Sequence, residues 1–470
     1  MMNKKFLNLV LIVTISVFLI SCETTLIPET DPVTIDEEEI LLDANYDRFF
    51  NHENHKTLVI SMTQNQATLL DQSMQTYFDQ FGNYKSDDYI MSTITYQDDF
   101  GTIEMQDVPF RTRGNLSRNR FLNDEGMLQL NHFKLKFNQQ FTDINRDGFL
   151  FGLEELDLKY NRNYDETYMN EFGALKLYEA YDVVAQRATL IYVEVHIDED
   201  IYKVGIMTAF EPIDEWFIRR RFDAIDGQVG DLYKSLWQQF GPANLTNLRE
   251  GSIGIKDVSI NYRPAYDLKT NKNTSSHDAL NLLIDVLANE DMTFKKAFVE
   301  ANMDIQALSK MFAVSFLLGN PDDFRSMANN YYLYIDGVTE TYHIIPYDLD
   351  HSLGQGWDGA PVFENQLINN TLYHYGEVFS YLTGQEVNHP LMEVLFEIDG
   401  FKRQYDAHLE TLIQTEFTFD FFKAFIDTYK PIYDDAIMNS MMSLAFGYRD
   451  LATYISQKSD FVLNLIYSTT

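Results

Sequence analysis

The chain has 470 residues, of which 45% are hydrophobic and 14% aromatic, a composition that supports a substantial core and excludes an intrinsically disordered protein. Its formal net charge is −35, from 71 acidic and 36 basic residues, so it repels nucleic-acid phosphates and we expect no nucleic-acid partner. The one cysteine, Cys22, allows no internal disulfide.

The first residues, MMNKKFLNLVLIVTISVFLISC, have the features of a secretory signal. Lys4 and Lys5 precede an apolar run that is short for a membrane-spanning helix. The ending LISC resembles the bacterial lipobox, in which the cysteine is lipidated after cleavage. We therefore predict a signal peptide over 1–21, lipidation at Cys22 and an extracytoplasmic protein held at the cell membrane only by its lipid. A plain secretory signal or a membrane anchor is the alternative.

The predicted elements change from β-rich to helix-rich along the chain. Residues 22–50 are acidic and without a clear period, which indicates a tether. A β-hairpin is predicted over 188–213, and Asp304 is the predicted N-cap of a helix over 303–320. The chain is helix-rich from residue 391, so we predict one α+β domain over 51–468. The other predicted strands are 55–63, 89–97, 132–138 and 153–160, and the other predicted helices are 67–78 and 165–184.

A basic loop, RTRGNLSRNR, occupies residues 111–120. Four arginines surround a Gly114-Asn115 turn, and a donor-rich loop of this kind can cover phosphates. Lys134 and Lys136 follow on the next predicted strand, where they alternate with apolar residues and so share one face. A solvated basic edge is the alternative interpretation.

An acidic loop, DINRDGFLFGLE, fits the calcium-loop pattern D-x-N-x-D-G-x5-E over residues 143–154. Its ligand positions are Asp143, Asn145, Asp147 and Glu154. The flanking segments are predicted strands, whereas an EF-hand has helices there. The loop is therefore either a separate Ca²⁺ site or an acidic hairpin loop.

A second acidic cluster is predicted at the end of a hairpin. The strand-like runs NYYLYI and YHIIPYD are joined by the turn DGVTE. Antiparallel pairing places Asn330 near Asp348 and Asp350, and Asp322 and Asp323 come just before the first strand. Such an oxygen-only cluster suits Mg²⁺, Mn²⁺ or Ca²⁺. Its order of Asp, Asn, hairpin and Asp is also that of protein kinases, although a surface turn rich in Asp and Asn would look the same.

Four segments together resemble the CotH family, the spore-coat-protein-H kinase-like proteins. They are RTRGNLSRNRF…HFKLKF, VGIMTAFEPIDEWFIRRRF…GDLYKS, GNPDDFRSMANNYYLYID and YHIIPYDLDHSLG. The resemblance runs from about residue 56 to at least residue 400. It implies an atypical bilobal protein-kinase-like fold, with a β-rich N-lobe over about 51–212 and a helix-rich C-lobe over about 213–468. It also implies binding of ATP with Mg²⁺ or Mn²⁺ and phosphorylation of serine or threonine on a secreted or surface protein.

The resemblance also implies roles for single residues. Asp348 is similar to the metal-binding aspartate, with Asp350 in support, and Asp322 or Asp323 is similar to the catalytic aspartate. Asn330 resembles the loop asparagine, which serves both catalysis and the metal. The residues implied at the nucleotide are Arg113 and Asn115 in the loop, Lys136 or Lys134 as the phosphate lysine, Glu171 as its helix partner, Glu211 at the link between lobes, and Lys234.

Two other functions remain open. A non-catalytic CotH-like surface lipoprotein would keep the fold for attachment or for envelope or coat assembly, because kinase folds lose activity while they keep their shape. A carboxylate-pair glycosidase is the third hypothesis, since the chain is rich in acids.

Overall fold

The computed structural model describes residues 44–115, 117–137, 150–222, 228–246, 249–356, 375–376, 380, 384 and 389–468. All of these belong to one compact unit, which begins at Glu38. Among the helices of these described residues, none has both the length and the hydropathy that a membrane span requires. The helices are Ala44–Phe50, Gln64–Phe81, Phe172–Ala180, Glu215–Phe222, Asp278–Asn289, Met292–Asn302, Ile305–Leu318, Phe324–Met327, Pro390–Glu397, Phe401–Gln414, Phe419–Ile437 and Leu451–Ser468, with a 3₁₀ turn at Val258–Ile260.

The first half of the chain forms a closed seven-stranded barrel with the order β1-β2-β3-β4-β5-β7-β6. Neighbouring strands are antiparallel except β1 and β6, which run parallel and close the barrel. Alternate residues such as Leu58 and Ile60 fill the interior, as the period of two requires. The strands are β1 Lys56–Met62, β2 Ile90–Asp98, β3 Gly101–Arg113, β4 His132–Lys136, β5 Glu155–Tyr160, β6 Ala188–Ile197 and β7 Asp200–Phe210.

A second sheet of five strands has the order β12-β11-β8-β10-β9. The predicted hairpin that ends at the second acidic cluster is confirmed, because β11 and β12 pair antiparallel with Tyr331 opposite Pro346. Helices pack around this sheet and share a large apolar core with it. The strands are β8 Asp231–Ser235, β9 Ile253–Gly254, β10 Tyr266–Leu268, β11 Tyr331–Ile335 and β12 Tyr342–Pro346.

The chain is therefore an α+β protein with a β-rich N-terminal part and a helical C-terminal part, as predicted. The hairpin over 188–213 is confirmed by the pairing of β6 with β7. Asp304 is confirmed as an N-cap, since its carboxylate accepts a hydrogen bond from the backbone N–H of Ala307 at 3.0 Å.

Most predicted boundaries shift by no more than three residues, and two differ by more. The end of the segment predicted as a tether, Ala44–Phe50, is helical, and Phe49 and Phe50 are buried against the barrel. The helix predicted over 165–184 spans only Phe172–Ala180. The carboxylate of Asp165 instead accepts hydrogen bonds from the backbone N–H groups of three of the next five residues. This local bonding competes with a helix before residue 172.

Candidate functional site

The site lies where the β11–β12 hairpin ends. The backbone N–H of Tyr347 donates to the carbonyl of Asn330 at 3.2 Å, which extends the pairing one step beyond the strands. Asp348 follows with a positive φ of 58°, and its carbonyl accepts a hydrogen bond from the side chain of Asn320 at 3.1 Å. The predicted closeness of Asn330 to Asp348 is therefore confirmed.

Three carboxylates surround one ammonium group at this place. Oxygens of Glu171, Asp348 and Asp350 all lie within 4.8 Å of one another. The Nζ atom of Lys159 lies 2.7 Å from a Glu171 oxygen, 2.5 Å from an Asp348 oxygen and 3.6 Å from an Asp350 oxygen. We call these four residues the carboxylate–lysine cluster. An all-oxygen donor set of this kind fits Mg²⁺ or Mn²⁺.

Strand β5 explains why Lys159 reaches this cluster. Leu156 and Leu158 point into the barrel core, so the alternating residues Glu155, Asp157 and Lys159 share the outer face. Glu171 comes directly before the helix Phe172–Ala180, which follows β5 in the chain. The strand and the start of this helix therefore bring Lys159 and Glu171 together.

The cluster has strongly shifted proton affinities. Burial raises the pKa of Glu171 to about 8 against the attraction of Lys159, and the nearby charges of Asp350 and Asp348 raise it further. Burial would also raise the pKa of Asp348, but the ammonium of Lys159 holds it well below its usual range. Three carboxylates around one ammonium leave a local excess of negative charge, and a divalent cation would offset that excess.

Asp322 and Asp323 have different surroundings. Asp323 is the N-cap of the helix Phe324–Met327, where it accepts a hydrogen bond from the backbone N–H of Ser326 at 2.8 Å and contacts the hydroxyl of Ser315. Asp322 accepts a hydrogen bond from the side chain of Asn329 at 2.8 Å. Burial raises the pKa of Asp322 to about 8, with Asp348 and Asp350 adding to the rise. The proton affinity of Asp322 therefore depends on the charges of the carboxylate–lysine cluster.

The predicted asparagine is next to Asp322. The side-chain nitrogen of Asn330 donates to the backbone carbonyl of Asp322 at 3.0 Å. This bond ties the loop before β11 to the hairpin end. It leaves the side-chain oxygen of Asn330 as the atom that can serve as a ligand.

A row of ion pairs continues along the outer face of β3, β4 and β5. Arg113 lies 3.1 Å from Asp157 and donates to the Tyr347 hydroxyl at 3.1 Å. Lys234, from β8, donates to the same hydroxyl at 2.9 Å and lies over the Tyr347 ring. Lys134 lies 3.3 Å from Asp157. Arg113 and Lys234 therefore reach the residue that precedes Asp348.

The two lysines predicted to meet phosphate lie in this row and not in the cluster. Lys134 contacts Glu155, and Lys136 lies 3.1 Å from Glu155. The structure places Lys159 beside Glu171 instead, and sequence reasoning missed this residue. The run LDLKY has the alternation that puts Lys159 on the outer face, so a signal was present.

Two other residues predicted to contact the nucleotide, Asn115 and Glu211, lie outside the carboxylate–lysine cluster. Asn115 is exposed and its side chain contacts Lys85. Glu211 follows β7 directly, but its buried carboxylate pairs with Arg221 at 2.5 Å and accepts from the backbone N–H of Arg187 at 3.2 Å. Both carboxylate oxygens of Glu211 are thus engaged in contacts with Arg221 and the Arg187 backbone.

Some predicted sites lie outside the described residues. These are Cys22 and three of the four positions of the calcium loop, Asp143, Asn145 and Asp147. Glu154 is described, and burial raises its pKa while a hydrogen bond from Trp216 opposes the rise. The calcium loop and the lipidation site stay predictions.

The comparisons with known proteins confirm the family. A family model described as "CotH kinase protein" matches residues 110–446, so the chain belongs to the CotH family. Among solved structures, the chain is similar to a Helicobacter pylori proinflammatory kinase, CtkA, at 13% identity over 72% of this chain and 95% of that one. The TM-score of that match is 0.30. None of the curated proteins gives a significant match.

Proposed function

We propose that the chain is an atypical protein kinase that binds ATP with Mg²⁺ or Mn²⁺ and phosphorylates serine or threonine on a secreted or surface protein. The observation that carries the proposal is the contact of Lys159 with both Glu171 and Asp348. Protein kinases require a lysine on a strand to pair with a glutamate of the following helix, next to a metal-binding aspartate. The family membership of the chain supports the same reading.

The connectivity around the cluster also supports a bilobal kinase-like fold. Strand β5 carries the lysine, the helix Phe172–Ala180 follows, and β6 and β7 return to the barrel with β7 beside β5. Glu211 comes immediately after β7, where the chain leaves the barrel for the second sheet. We assign the barrel to the N-lobe and the second sheet with its helices to the C-lobe.

In this proposal each residue of the cluster has one role. Asp348 and Asp350 would hold the divalent ion, whose charge would balance that of the phosphates. Lys159, oriented by Glu171, would bind phosphate oxygens. Arg113 and Lys234 flank the same place and would neutralise further phosphate charge, and the loop with Gly114 and Asn115 would cover it.

Asp322 is the better candidate for the catalytic aspartate. Its carboxylate is held by Asn329 near the cluster, whereas that of Asp323 is used in a helix cap. Asp322 would accept the proton of the substrate hydroxyl. Asn330 would position the loop and offer its side-chain oxygen to the ion.

The proposal includes the cellular location. The N-terminal signal with Cys22 supports a lipoprotein outside the cytoplasmic membrane, with protein substrates there. The acidic charge of the chain supports partners other than nucleic acids.

A binding experiment tests the kinase proposal without knowledge of the substrate. ATP is titrated by calorimetry into the purified full-length chain, with and without Mg²⁺ or Mn²⁺, beside Asp348→Asn. We expect binding that requires the metal and is lost in the variant. A folded wild-type chain that binds no ATP under any of these conditions would refute the proposal.

One observation favours a non-catalytic surface protein as the second candidate. The outer face of β3–β5 is occupied by the ion pairs of Arg113, Lys134 and Lys136, whereas an adenine ring needs an apolar surface. If ATP binds but no phosphate moves to the chain itself or to casein with Mn²⁺, this second candidate is preferred.

A further inference from the structure

A group of cations collects around one carboxylate at the edge of the barrel. Asp87 belongs to the segment of the chain that connects the helix Gln64–Phe81 to β2. Its carboxylate lies 3.1 Å from Arg111 and 3.4 Å from Arg118, and it contacts Lys256 from the second sheet region. Lys85 and Arg263 lie beside them. We call these six residues, Lys85, Asp87, Arg111, Arg118, Lys256 and Arg263, the Asp87 cluster.

The two outer cations of the cluster have neutral partners among the residues that the structure describes. The ammonium of Lys85 contacts the side-chain oxygen of Asn115. Arg263 donates to the side-chain oxygen of Asn261 at 3.2 Å and to the backbone carbonyl of Lys85 at 3.3 Å. The cluster thus holds five positive charges and one negative charge.

Arg118 supplies a second observation. Its side chain is 5% exposed, and its Nε atom is buried with no hydrogen-bond acceptor in the described part of the chain. Burial and the neighbouring charges of Arg263 and Arg118 lower the pKa of Lys85 to about 8. Burial also lowers the pKa of Lys256 to about 8 against the attraction of Asp87. Burial therefore weakens the proton affinity of both lysines, and the one carboxylate of the Asp87 cluster does not offset this effect.

Such an excess of positive charge contrasts with the acidic composition of the chain. The chain carries about twice as many acidic as basic residues, 71 against 36, so carboxylates are abundant as partners elsewhere. Partly buried like charges repel one another, and the repulsion is relieved when an anion binds among them. The geometry therefore suits an anionic ligand.

The cluster is also close to the carboxylate–lysine cluster. Arg111 and Arg113 are two residues apart on β3 and share one face, which separates them by roughly 7 Å. Arg113 bonds to Tyr347, the neighbour of Asp348 in the chain. A ligand on the Asp87 cluster would lie beside the proposed phosphate site without needing its residues.

We propose that the Asp87 cluster binds an anionic group of the protein substrate, either a phosphoryl group or closely spaced carboxylates. The identification of the ligand as substrate rests on the proposed kinase function, whereas the binding of the anion does not. The cluster would select substrates that carry acidic or already phosphorylated residues near the acceptor. It would do so although the chain as a whole repels anions.

Calorimetry with two probes tests this proposal on the full-length chain. The probes are a short oligo-aspartate peptide and a glycine-serine peptide with phosphoserines, so that the two sources of negative charge are compared. We expect the double substitution Lys85→Gln, Lys256→Gln to weaken the binding of the preferred probe by about tenfold or more. Arg263→Gln, an independent single change, should weaken it less but measurably.

A matched control removes the same charge elsewhere. Lys295→Gln, Lys296→Gln changes two lysines on the helix Met292–Asn302, and should leave probe affinity unchanged. Wild-type binding at pH 8 should also take up protons, seen as a dependence of the heat on the buffer, because the anion raises the pKa of both lysines. Mg²⁺–ATP affinity, measured in parallel, should stay unchanged in the Lys85 and Lys256 variant.

Several results would overturn the proposal. The proposal fails if the wild-type chain binds neither probe, or if the control variant loses as much probe affinity as the Lys85 and Lys256 variant. It also fails if binding takes up no protons. Loss of Mg²⁺–ATP binding in the Lys85 and Lys256 variant would instead assign the cluster to the nucleotide. A chain that binds a probe but no ATP would keep this inference and reject the kinase proposal.

Discussion

Replacing Lys159 by methionine tests the central contact of the site. Methionine keeps much of the length of the side chain and removes its charge. Glu171, Asp348 and Asp350 then face one another without the ammonium group that contacts all three. Removing one partner of a buried ion pair costs about 3–5 kcal/mol. Because the Asp348 side chain is 34% exposed, solvent screening places the expected loss near the lower end, about 3 kcal/mol.

The loss should depend on metal and on pH. Mn²⁺ binds the folded variant and supplies the missing positive charge, so the free energy of unfolding should recover when the ion is added. Acid protonates the carboxylates, so the difference between variant and wild type should shrink as the pH falls from 8 to 5. Urea unfolding with EDTA, with Mn²⁺, and at both pH values measures all of these effects. Mg²⁺–ATP binding should be lost in the variant.

Lys134→Met is the matched control for this prediction. Lys134 is on the adjacent strand and was itself predicted to bind phosphate. Without it, Asp157 keeps Arg113 and Glu155 keeps Lys136, so we expect a smaller loss of stability and no rescue by Mn²⁺. The reasoning is refuted if Lys159→Met is as stable as wild type in EDTA. It is also refuted if Lys134→Met alone abolishes ATP binding.

Three further substitutions test separate parts of the structure. Asp350→Asn should weaken Mn²⁺ binding, as measured by calorimetry, by at least the roughly 10–100-fold that loss of a hydrogen-bond partner of a metal ligand costs. Unchanged affinity would remove Asp350 from the proposed metal site. Asp322→Ala should lower phosphate transfer by about 10²–10⁴-fold while ATP still binds. Asp323→Ala should instead cost about 1 kcal/mol of stability, because it removes a helix cap. The opposite pattern would exchange the roles of the two aspartates. Burial lowers the pKa of Lys56 from 10.5 to about 7, so the unfolded chain holds this proton more tightly and stability should rise from pH 7 towards pH 10. Lys56→Met should flatten that rise in urea midpoints, and an unchanged slope would contradict the assignment.

The hairpin end could be predicted because its geometry is local. The strands β11 and β12 are joined by a short turn that contains Asp336 and Gly337, and this connection determines which residues lie opposite one another. The closeness of Asn330 to Asp348 follows from that register. The prediction could not separate Asp322 from Asp323, because the difference depends on a helix of four residues that begins at Phe324.

The lysine that contacts Glu171 could not be assigned from the sequence, because its other partners, Asp348 and Asp350, come from a distant part of the chain. Lys134, Lys136 and Lys159 all lie on strands with the same alternation and the same outer face. Only the barrel order shows that β5 lies beside β7 while β4 lies one strand farther away. Strand pairing of this kind is non-local, and period-two patterns do not encode it.

The arginine-rich loop shows how the same limitation affects charge. In isolation, four arginines within ten residues look like free phosphate ligands. In the folded chain Arg120 lies 2.7 Å from Asp71, Arg113 pairs with Asp157, and Arg111 and Arg118 share Asp87. Arg111 and Arg118 share one carboxylate, so positive charge exceeds negative charge around Asp87. Arg113 and Arg120 each pair with a different aspartate, so the arginines of the loop create no such excess beside them. The capacity of the loop to bind an anion therefore depends on how many carboxylates the rest of the fold brings to it, and not on the number of its arginines.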